Sequence, residues 1–179
     1  MNYIIVTGGA GFIGTNLIRS LLKLKEYKII SIDNYFTGQK SNHIKAKNLI
    51  YLRGNTINIS KILDHIKNQI SAVFHFAEFS RIAQSFDNIN RCFQSNLHGS
   101  YEVVNFYMVN KIKIIYSATS ASLGNKGLDK NLSPYAFTKS NNMNLIMNFN
   151  EWFGLKYEIV YFYNVYGPNQ IYKSNMAAV

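Results

Sequence analysis

Two side chains that can act together as a base and its cationic neighbour lie four positions apart. Tyr135 and Lys139 belong to a segment whose pattern predicts a helix over Pro134–Trp152. Residues four apart share one face of a helix. A free phenol ionises near pH ~10, and a nearby ammonium favours its charged form. The spacing indicates a tyrosine that takes a proton from a substrate, although an exposed amphipathic helix also produces such a pair readily.

A run of hydroxyl-bearing residues precedes this helix. The segment Tyr116–Ser122 reads YSATSAS and follows a predicted strand over Lys113–Tyr116. Doubly wound sheets bind their ligands at the carboxyl ends of the strands. We therefore expect one hydroxyl to bond the substrate oxygen that Tyr135 deprotonates and to stabilise the charge that develops there. A Ser/Thr-rich turn that satisfies its own backbone is the alternative.

A glycine-rich run near the N-terminus indicates a site for a diphosphate. The segment Thr7–Gly14 reads TGGAGFIG and lies between a predicted strand and a predicted helix. Gly8 permits a tight turn, Gly11 lets the backbone approach a pyrophosphate, and Gly14 allows close packing of the helix on the strand. The helix N-terminus adds free N–H groups and partial positive charge, which favour an anion.

An acidic residue after the second predicted strand indicates which dinucleotide binds. Asp33 follows Lys28–Ile32, at the distance of about 20 residues that is typical of dinucleotide-binding folds. A carboxylate there accepts hydrogen bonds from both ribose hydroxyls and repels a 2′-phosphate, which predicts NAD rather than NADP. A structural turn with a chance aspartate is the alternative.

The elements that must position these groups alternate along the chain. Short β-branched runs and longer amphipathic stretches follow one another, as is typical of repeated βα units. We predict an α/β fold, a Rossmann-like doubly wound parallel sheet with helices on both faces. Strands are expected at Asn2–Thr7, Lys28–Ile32, Leu49–Arg53, Ala72–Phe76, Lys113–Tyr116 and Tyr157–Phe162, and helices at Gly11–Leu24, Ile59–Lys67, Arg91–Val109 and Pro134–Trp152.

Composition narrows the class of protein. The 179 residues are 47% hydrophobic with two prolines, which excludes a fibrous or unstructured chain. The single cysteine, Cys92, excludes an internal disulfide and a Cys-cluster zinc site, and no metal is expected. The net charge of +10 comes from scattered lysines, so no nucleic-acid partner is expected. No apolar run approaches the ~20 residues that cross a bilayer, so we expect no membrane partner and a cytoplasmic location.

Taken together, the motifs resemble the extended short-chain dehydrogenase/reductases, the NAD-dependent epimerase/dehydratase family. The resemblance covers essentially the whole chain and implies an NAD-dependent enzyme with a nucleotide-sugar substrate. The motifs that carry it are TGGAGFIG, Asp33-Asn34, VFHFAE, Asn96-Leu97-His98-Gly99-Ser100, YSATSASLG, SPYAFTK and YFYNVYGP.

The resemblance implies which residues bind the cofactor. Asp33 and Asn34 would hold the adenosine ribose, and Asn55 with Thr56 would face the adenine. Residues 76–78 would pass beneath the cofactor. The NAD-binding set that it implies is Gly8, Gly11, Phe12, Ile13, Gly14, Asp33, Asn34, Asn55, Thr56, Phe76, Ala77, Glu78, Asn96, Ser117, Tyr135, Lys139 and Tyr163.

The resemblance also implies which residues react. Thr119 matches the family's catalytic Ser/Thr, Tyr135 its base, and Lys139 the partner of that base. Thr119 and Tyr135 would contact the substrate, and Asn164 would lie near the substrate's diphosphate.

Within the family, the sequence is most similar to the UDP-glucose 4-epimerases, which implies a UDP-hexose substrate. Such enzymes oxidise the sugar at C4 with NAD, let the ketosugar rotate and return the hydride to the other face. Family dehydratases and decarboxylases carry acidic residues after the catalytic threonine, where Ser120 and Ala121 stand here. An ADP-heptose 6-epimerase-like enzyme with Lys173 as a second base, a UDP-glucuronate-type enzyme and a non-catalytic NAD-binding protein are the alternatives.

Three departures from the family pattern bear on activity. Asn55 replaces an aspartate, which keeps an acceptor for the adenine amine but removes the charge, and Tyr161 replaces an arginine. The chain also ends at Val179, whereas family members continue much further. We assign 1–166 to an NAD-binding domain and 167–179 to the start of a truncated substrate-binding region, and we expect NAD binding with little or no turnover.

A homodimer is the expected assembly. The predicted helices Arg91–Val109 and Pro134–Trp152 carry aromatic residues, and family members pair such helices across a two-fold axis. Core packing within one chain is the alternative for these aromatics, which are Phe93, Tyr101, Phe106, Tyr107, Phe149 and Trp152.

Overall fold

One six-stranded parallel sheet organises the computed structural model, which describes residues 2–171. The strands are β1 (Tyr3–Thr7), β2 (Lys28–Asp33), β3 (Leu49–Arg53), β4 (Ile70–His75), β5 (Lys113–Thr119) and β6 (Tyr157–Phe162). Their order across the sheet is β3-β2-β1-β4-β5-β6, and every pairing is parallel. This order is that of a doubly wound Rossmann sheet, so the predicted fold class is confirmed.

Helices connect the strands. They are α1 (Phe12–Leu21), α2 (Ile59–Leu63), α3 (Gln84–Asp87), α4 (Ile89–Phe93), α5 (Gly99–Val109) and α6 (Pro134–Phe153). The Ser133 hydroxyl caps α6 by accepting from the Ala136 N–H at 3.0 Å, and Gly154 ends the helix in a left-handed conformation. Within the part of the chain that the structure describes, no helix is both long and apolar enough to cross a membrane.

Several element bounds differ from the sequence-based prediction: β4 begins two residues earlier, α2 ends at Leu63, and α3 was not predicted. Two further differences bear on the site. The helix predicted over Arg91–Val109 begins two residues earlier, at Ile89, and passes through a π-helical turn at Gln94–His98. β5 was expected to end at Tyr116 but continues to Thr119, because its last residues keep pairing with β6. The hydroxyls of Ser117 and Thr119 are therefore held on a strand rather than in a loop.

Alternate residues of β1 enter two separate cores. Ile5 packs with residues of β4, β5, α5 and α6 on one face, while Ile4 and Val6 pack with Ile18 of α1 on the other. Successive side chains of a strand point to opposite faces of the sheet. A parallel sheet that is covered on both faces requires such continuous apolar strands.

Several aromatics expected at a dimer interface lie in the core of the single chain. Phe106, Tyr107 and Phe149 are buried between the sheet and the helices, whereas Tyr101 and Trp152 are exposed. The apolar positions of α5 and α6 thus serve mainly the chain's own core. The alternative stated for these aromatics is correct for three of them.

Gly14 lets α1 start directly against the loop that follows β1. A Cβ on this residue would lie 2.7 Å from the Cα of Gly9 and closer still to the carbonyl oxygen of Gly8. These neighbours are backbone atoms, which cannot move aside as a flexible side chain can. The contact therefore fixes the position of the helix N-terminus relative to the sheet.

We expect Gly14→Ala to lower the free energy of unfolding by about 3 kcal/mol, the upper range for overpacking of a tight interior site. Urea unfolding measured by circular dichroism tests this. Gly11→Ala is the matched control, because its added Cβ would lie 3.2 Å from the Gly8 oxygen in an ordinary extended conformation. Equal unfolding free energies for the two variants would contradict this account of Gly14.

Candidate functional site

A large cavity lies at the carboxyl ends of the strands. Its volume is about 1360 Å³. β1 pairs with β2 on one side and β4 on the other, so the chain crosses to opposite faces at this point and leaves a crevice. The predicted site residues that line the cavity are Gly8, Gly11, Phe12, Ile13, Gly14, Asp33, Asn34, Asn55, Phe76, Ala77, Glu78, Ser117, Thr119, Tyr135, Lys139, Tyr163 and Asn164.

The loop after β1 presents backbone donors to this cavity. Gly8 adopts a φ of 74°, and an added Cβ would lie 2.8 Å from the backbone of Phe76. Gly11 precedes α1 without a side-chain cap, and the first turn of α1 holds no acidic residue. The uncapped N–H groups and the helix dipole suit an anionic group. The donor set therefore fits a diphosphate.

Asp33 stands beside this loop at the end of β2. Its carboxylate accepts the Ala10 N–H at 3.0 Å and the Tyr35 N–H at 2.8 Å. Burial raises the pKa of Asp33 above its ordinary value, and these two backbone hydrogen bonds partly offset the rise. The carboxylate thus bonds the glycine loop and also lines the cavity. Its remaining lone pairs can accept from ribose hydroxyls.

Three residues assigned to the cofactor have mainly structural contacts. Asn55 lines the cavity, but its carbonyl oxygen accepts the Ile57 N–H at 3.2 Å and caps the turn that follows. Thr56 and Asn96 are buried and do not line the cavity. The Asn96 amide instead bonds the backbone of Phe79 at 2.6 and 3.1 Å and so holds the irregular chain after β4.

The expected reacting groups, Thr119 and Tyr135, line the same cavity. Tyr135 lies in the first turn of α6 and is half-buried, and Thr119 is the last residue of β5. The Thr119 hydroxyl accepts the Ala121 N–H at 3.2 Å. Because the hydroxyl acts as acceptor there, it keeps its proton to donate to a ligand. The wall therefore offers a phenol and a hydroxyl to the same space.

Lys139 is held by a carboxylate that sequence reasoning placed beneath the cofactor. Its ammonium forms a buried ion pair with Glu78 and donates to the Ser117 carbonyl, and both side chains of the pair are 4% exposed or less. The same ammonium lies 4.4 Å from the centre of the Tyr116 ring. Lys139 is thus oriented by the ends of β4 and β5.

Glu78 accepts from several donors at once. Its Oε1 accepts from Ser100 Oγ at 2.7 Å, Tyr116 OH at 3.0 Å and Asn142 Nδ2 at 2.7 Å, while Oε2 accepts from Lys139. Burial raises the pKa of Glu78, but the Lys139 ammonium, the field of His75 and the hydrogen bonds from Lys139 and Ser100 lower it by more, so the pKa lies below its ordinary value. Glu78 is therefore an ionised carboxylate inside the protein.

A chain of hydrogen bonds continues from this carboxylate to β1. Thr7 Oγ1 accepts the N–H groups of Phe76 and Ala77 at 3.1 and 3.2 Å, so its own proton goes to His75 Nδ1 at 2.7 Å. The other ring nitrogen, His75 Nε2, then carries the hydrogen and donates it to Ser100 Oγ at 2.8 Å. Burial lowers the pKa of His75 to about 4, which keeps the ring neutral.

Many cavity residues were missed by sequence reasoning, and four of them carry aromatic rings or charge: Phe36, Phe79, Arg81 and Arg91. The Phe36 ring stacks on Phe79 with 6.0 Å between centroids, and the Arg91 guanidinium lies 4.0 Å from the Phe36 centroid. Arg81 lines the cavity too; burial lowers its pKa, and the field of Tyr135 raises it. Arg81 and Phe79 belong to the irregular segment after β4, whose path no periodicity predicts.

Other predicted positions complete the description. Tyr163 and Asn164 line the cavity from the exposed segment after β6. The second base considered, Lys173, lies outside the described residues. Within residues 2–171, no group of three or more His, Cys, Asp or Glu side chains could hold a metal ion.

A family model places the chain among known proteins. The model of the NAD dependent epimerase/dehydratase family matches residues 4–179. The chain belongs to this family. The resemblance inferred from the motifs is therefore confirmed. The family is NAD-dependent, as the motifs predicted.

Relatives in the family are similar to the chain over nearly its whole length. A putative UDP-glucose 4-epimerase of Methanocaldococcus jannaschii is 30% identical over 93% of this chain. An ADP-L-glycero-D-manno-heptose-6-epimerase of Brachyspira hyodysenteriae is 28% identical over 98% of it. The chain spans 57% and 58% of these two relatives, respectively.

Solved structures agree with the fold at similar identity. UDP-N-acetylglucosamine 4-epimerase from Methanobrevibacter ruminantium, in complex with UDP-N-acetylmuramic acid, superposes with a TM-score of 0.87 at 30% identity. The match covers 99% of this chain and 60% of that structure. UDP-glucose 4-epimerase of Thermotoga maritima, with UDP-glucose, gives 0.83 at 26% identity, covering 94% of this chain and 58% of that one.

The neutral, buried His75 makes stability depend on pH. Its pKa is about 4 in the folded chain against 6.5 in its ordinary state, so the unfolded chain binds more protons between these values. The free energy of unfolding should be highest above pH 6.5 and should fall by about 3 kcal/mol as the pH drops to 4. Urea titrations at several pH values measure this.

The variant His75→Gln removes the titrating ring and should flatten this part of the pH profile, while the exposed His65→Gln should leave it unchanged. A profile that keeps its slope in His75→Gln would show that another group causes the acid sensitivity.

Proposed function

We propose that this chain is the NAD-binding half of a nucleotide-sugar 4-epimerase that acts on a UDP-hexose. One observation carries the proposal: a single cavity joins the diphosphate-binding loop to Thr119, Tyr135 and Lys139. A protein that only binds the dinucleotide needs the loop but not these three side chains. The presence of the loop and the three side chains in one cavity supports catalysis over a binding role.

The residues on the cavity wall fit NAD. The loop Gly8–Gly14 and the start of α1 would hold the diphosphate, Asp33 the adenosine ribose, and Lys139 the nicotinamide ribose. Asp33 favours a free 2′-hydroxyl because its carboxylate would repel a phosphate. When bound, NAD supplies a site that takes up a hydride from the substrate and later returns it.

Tyr135 and Thr119 would perform the proton chemistry. Tyr135 would take the proton of the C4 hydroxyl, and Thr119 would donate a hydrogen bond to the same oxygen as charge develops on it. After the ketosugar rotates, Tyr135 would give the proton back to the oxygen. No net oxidation or reduction of the sugar results.

The identity of two neighbouring residues favours this reaction over elimination. Ser120 and Ala121 follow Thr119, so neither position supplies a carboxylate that could remove a proton from an adjacent carbon. The relatives that are named as UDP-sugar 4-epimerases support the same choice. We further propose that the grip on the UDP moiety comes mainly from a substrate-binding region beginning at residue 167, and that the functional unit is a homodimer.

We expect the purified chain to bind NAD and, with UDP-glucose or UDP-galactose, to produce a small amount of reduced nicotinamide, because remote binding energy is needed to hold the sugar in place. Tyr135→Phe should lower the rate of this reduction by at least about a hundredfold, the usual contribution of a general base. Near-ultraviolet absorbance follows the reduction. Calorimetry should show that the Tyr135→Phe variant binds NAD with an affinity within about twofold of the parent chain's.

Tyr27→Phe is the control, because Tyr27 precedes β2 at the opposite end of the sheet. Reduction by the Tyr135→Phe variant at the parental rate would contradict the assigned base. NAD binding without reduction by any UDP-hexose would instead favour the non-catalytic alternative.

A further inference from the structure

The side chain of Glu78 is the charged partner of the lysine in the catalytic wall. Its carboxylate is 3% exposed and contacts Lys139 through Oε2. The other acceptors of the ammonium are the carbonyl and hydroxyl oxygens of Ser117, the latter at 3.3 Å, and both are neutral. Glu78 therefore supplies the negative charge that compensates the buried ammonium.

The carboxylate itself is immobilised from three elements. Ser100 belongs to α5, Tyr116 to β5 and Asn142 to α6, and each donates to Oε1. All four partners of Glu78 donate to it, and donated hydrogen bonds together with the neighbouring ammonium favour the ionised carboxylate. A fixed anion thus lies within reach of a long, flexible lysine side chain.

An ammonium buried to this degree needs such a partner. Removing one member of a buried ion pair leaves the other charge uncompensated, and it then turns toward water or loses its proton. Either outcome would displace positive charge from the position next to Ser117. The location of Lys139 therefore depends on Glu78 as well as on α6.

We propose that Glu78 is a positioning residue that fixes the charged Lys139 at the nicotinamide half of the cofactor site. The proposal rests on the NAD binding that the proposed function requires. It predicts that Glu78 strengthens the binding of NAD but not of ADP, which would occupy only the glycine loop after β1 and the region of Asp33. The opposite role, in which Glu78 withholds Lys139 from the cofactor, predicts tighter NAD binding once the carboxylate is removed.

Calorimetric titration of the Glu78→Gln variant with NAD and with ADP distinguishes these roles. We expect NAD affinity to fall roughly tenfold, as for loss of one charge-assisted hydrogen bond, and ADP affinity to stay within about twofold. In a Lys139→Met background, Glu78→Gln should have no further effect on NAD affinity. Glu158→Gln removes an exposed carboxylate that pairs with Lys113 and is the matched control.

The second variant, Glu78→Asp, keeps the charge on a shorter side chain and serves if Glu78→Gln does not fold. It should weaken NAD binding less than Glu78→Gln is expected to, again without changing ADP binding. Unchanged or tighter NAD binding, or equal losses for NAD and ADP, would overturn the positioning role alone. A parent chain that binds ADP but not NAD would overturn the proposed function and this inference together.

Discussion

The site depends on β1 and β4 lying side by side while their connections leave on opposite faces of the sheet. Thr7 and His75 end these two strands and bond each other, and Thr7 also accepts the first two N–H groups after β4. This junction fixes where both chains leave the sheet. The junction therefore holds the glycine loop and the segment that carries Glu78 on the two sides of the crevice.

Much of this arrangement follows from local sequence. The parallel sheet follows from the alternating βα units. The loop Thr7–Gly14 is predictable because its glycines allow backbone contacts that a side chain would block. The extent of β5 was not predictable, because Thr119 and its neighbours have little apolar character and pair with β6 only in the folded sheet. The partner of Lys139 was not predictable either. Glu78 lies 61 residues away on an irregular segment, and no periodicity describes such a contact.

The buried polar side chains between Thr7 and Lys139 form one connected system rather than isolated pairs. From Thr7 through His75, Ser100 and Glu78 to Lys139, each hydrogen has one direction that satisfies both partners. Partly satisfied networks of this kind are costly, whereas satisfied ones define a single arrangement of the interior. Burying these charged groups costs hydration free energy, and they lie at the wall of the cavity, where a fixed charge can act on a ligand.

The sheet has two outer strands in the described residues, and β6 is the longer of them. Its sequence YEIVYF combines β-branched and aromatic residues with one charge, that of Glu158. An outer strand of this kind exposes a row of backbone donors and acceptors that another copy can extend. Such an edge favours strand addition between copies at high protein concentration. Glu158 is the one charge on this strand, and its carboxylate pairs with Lys113 of β5.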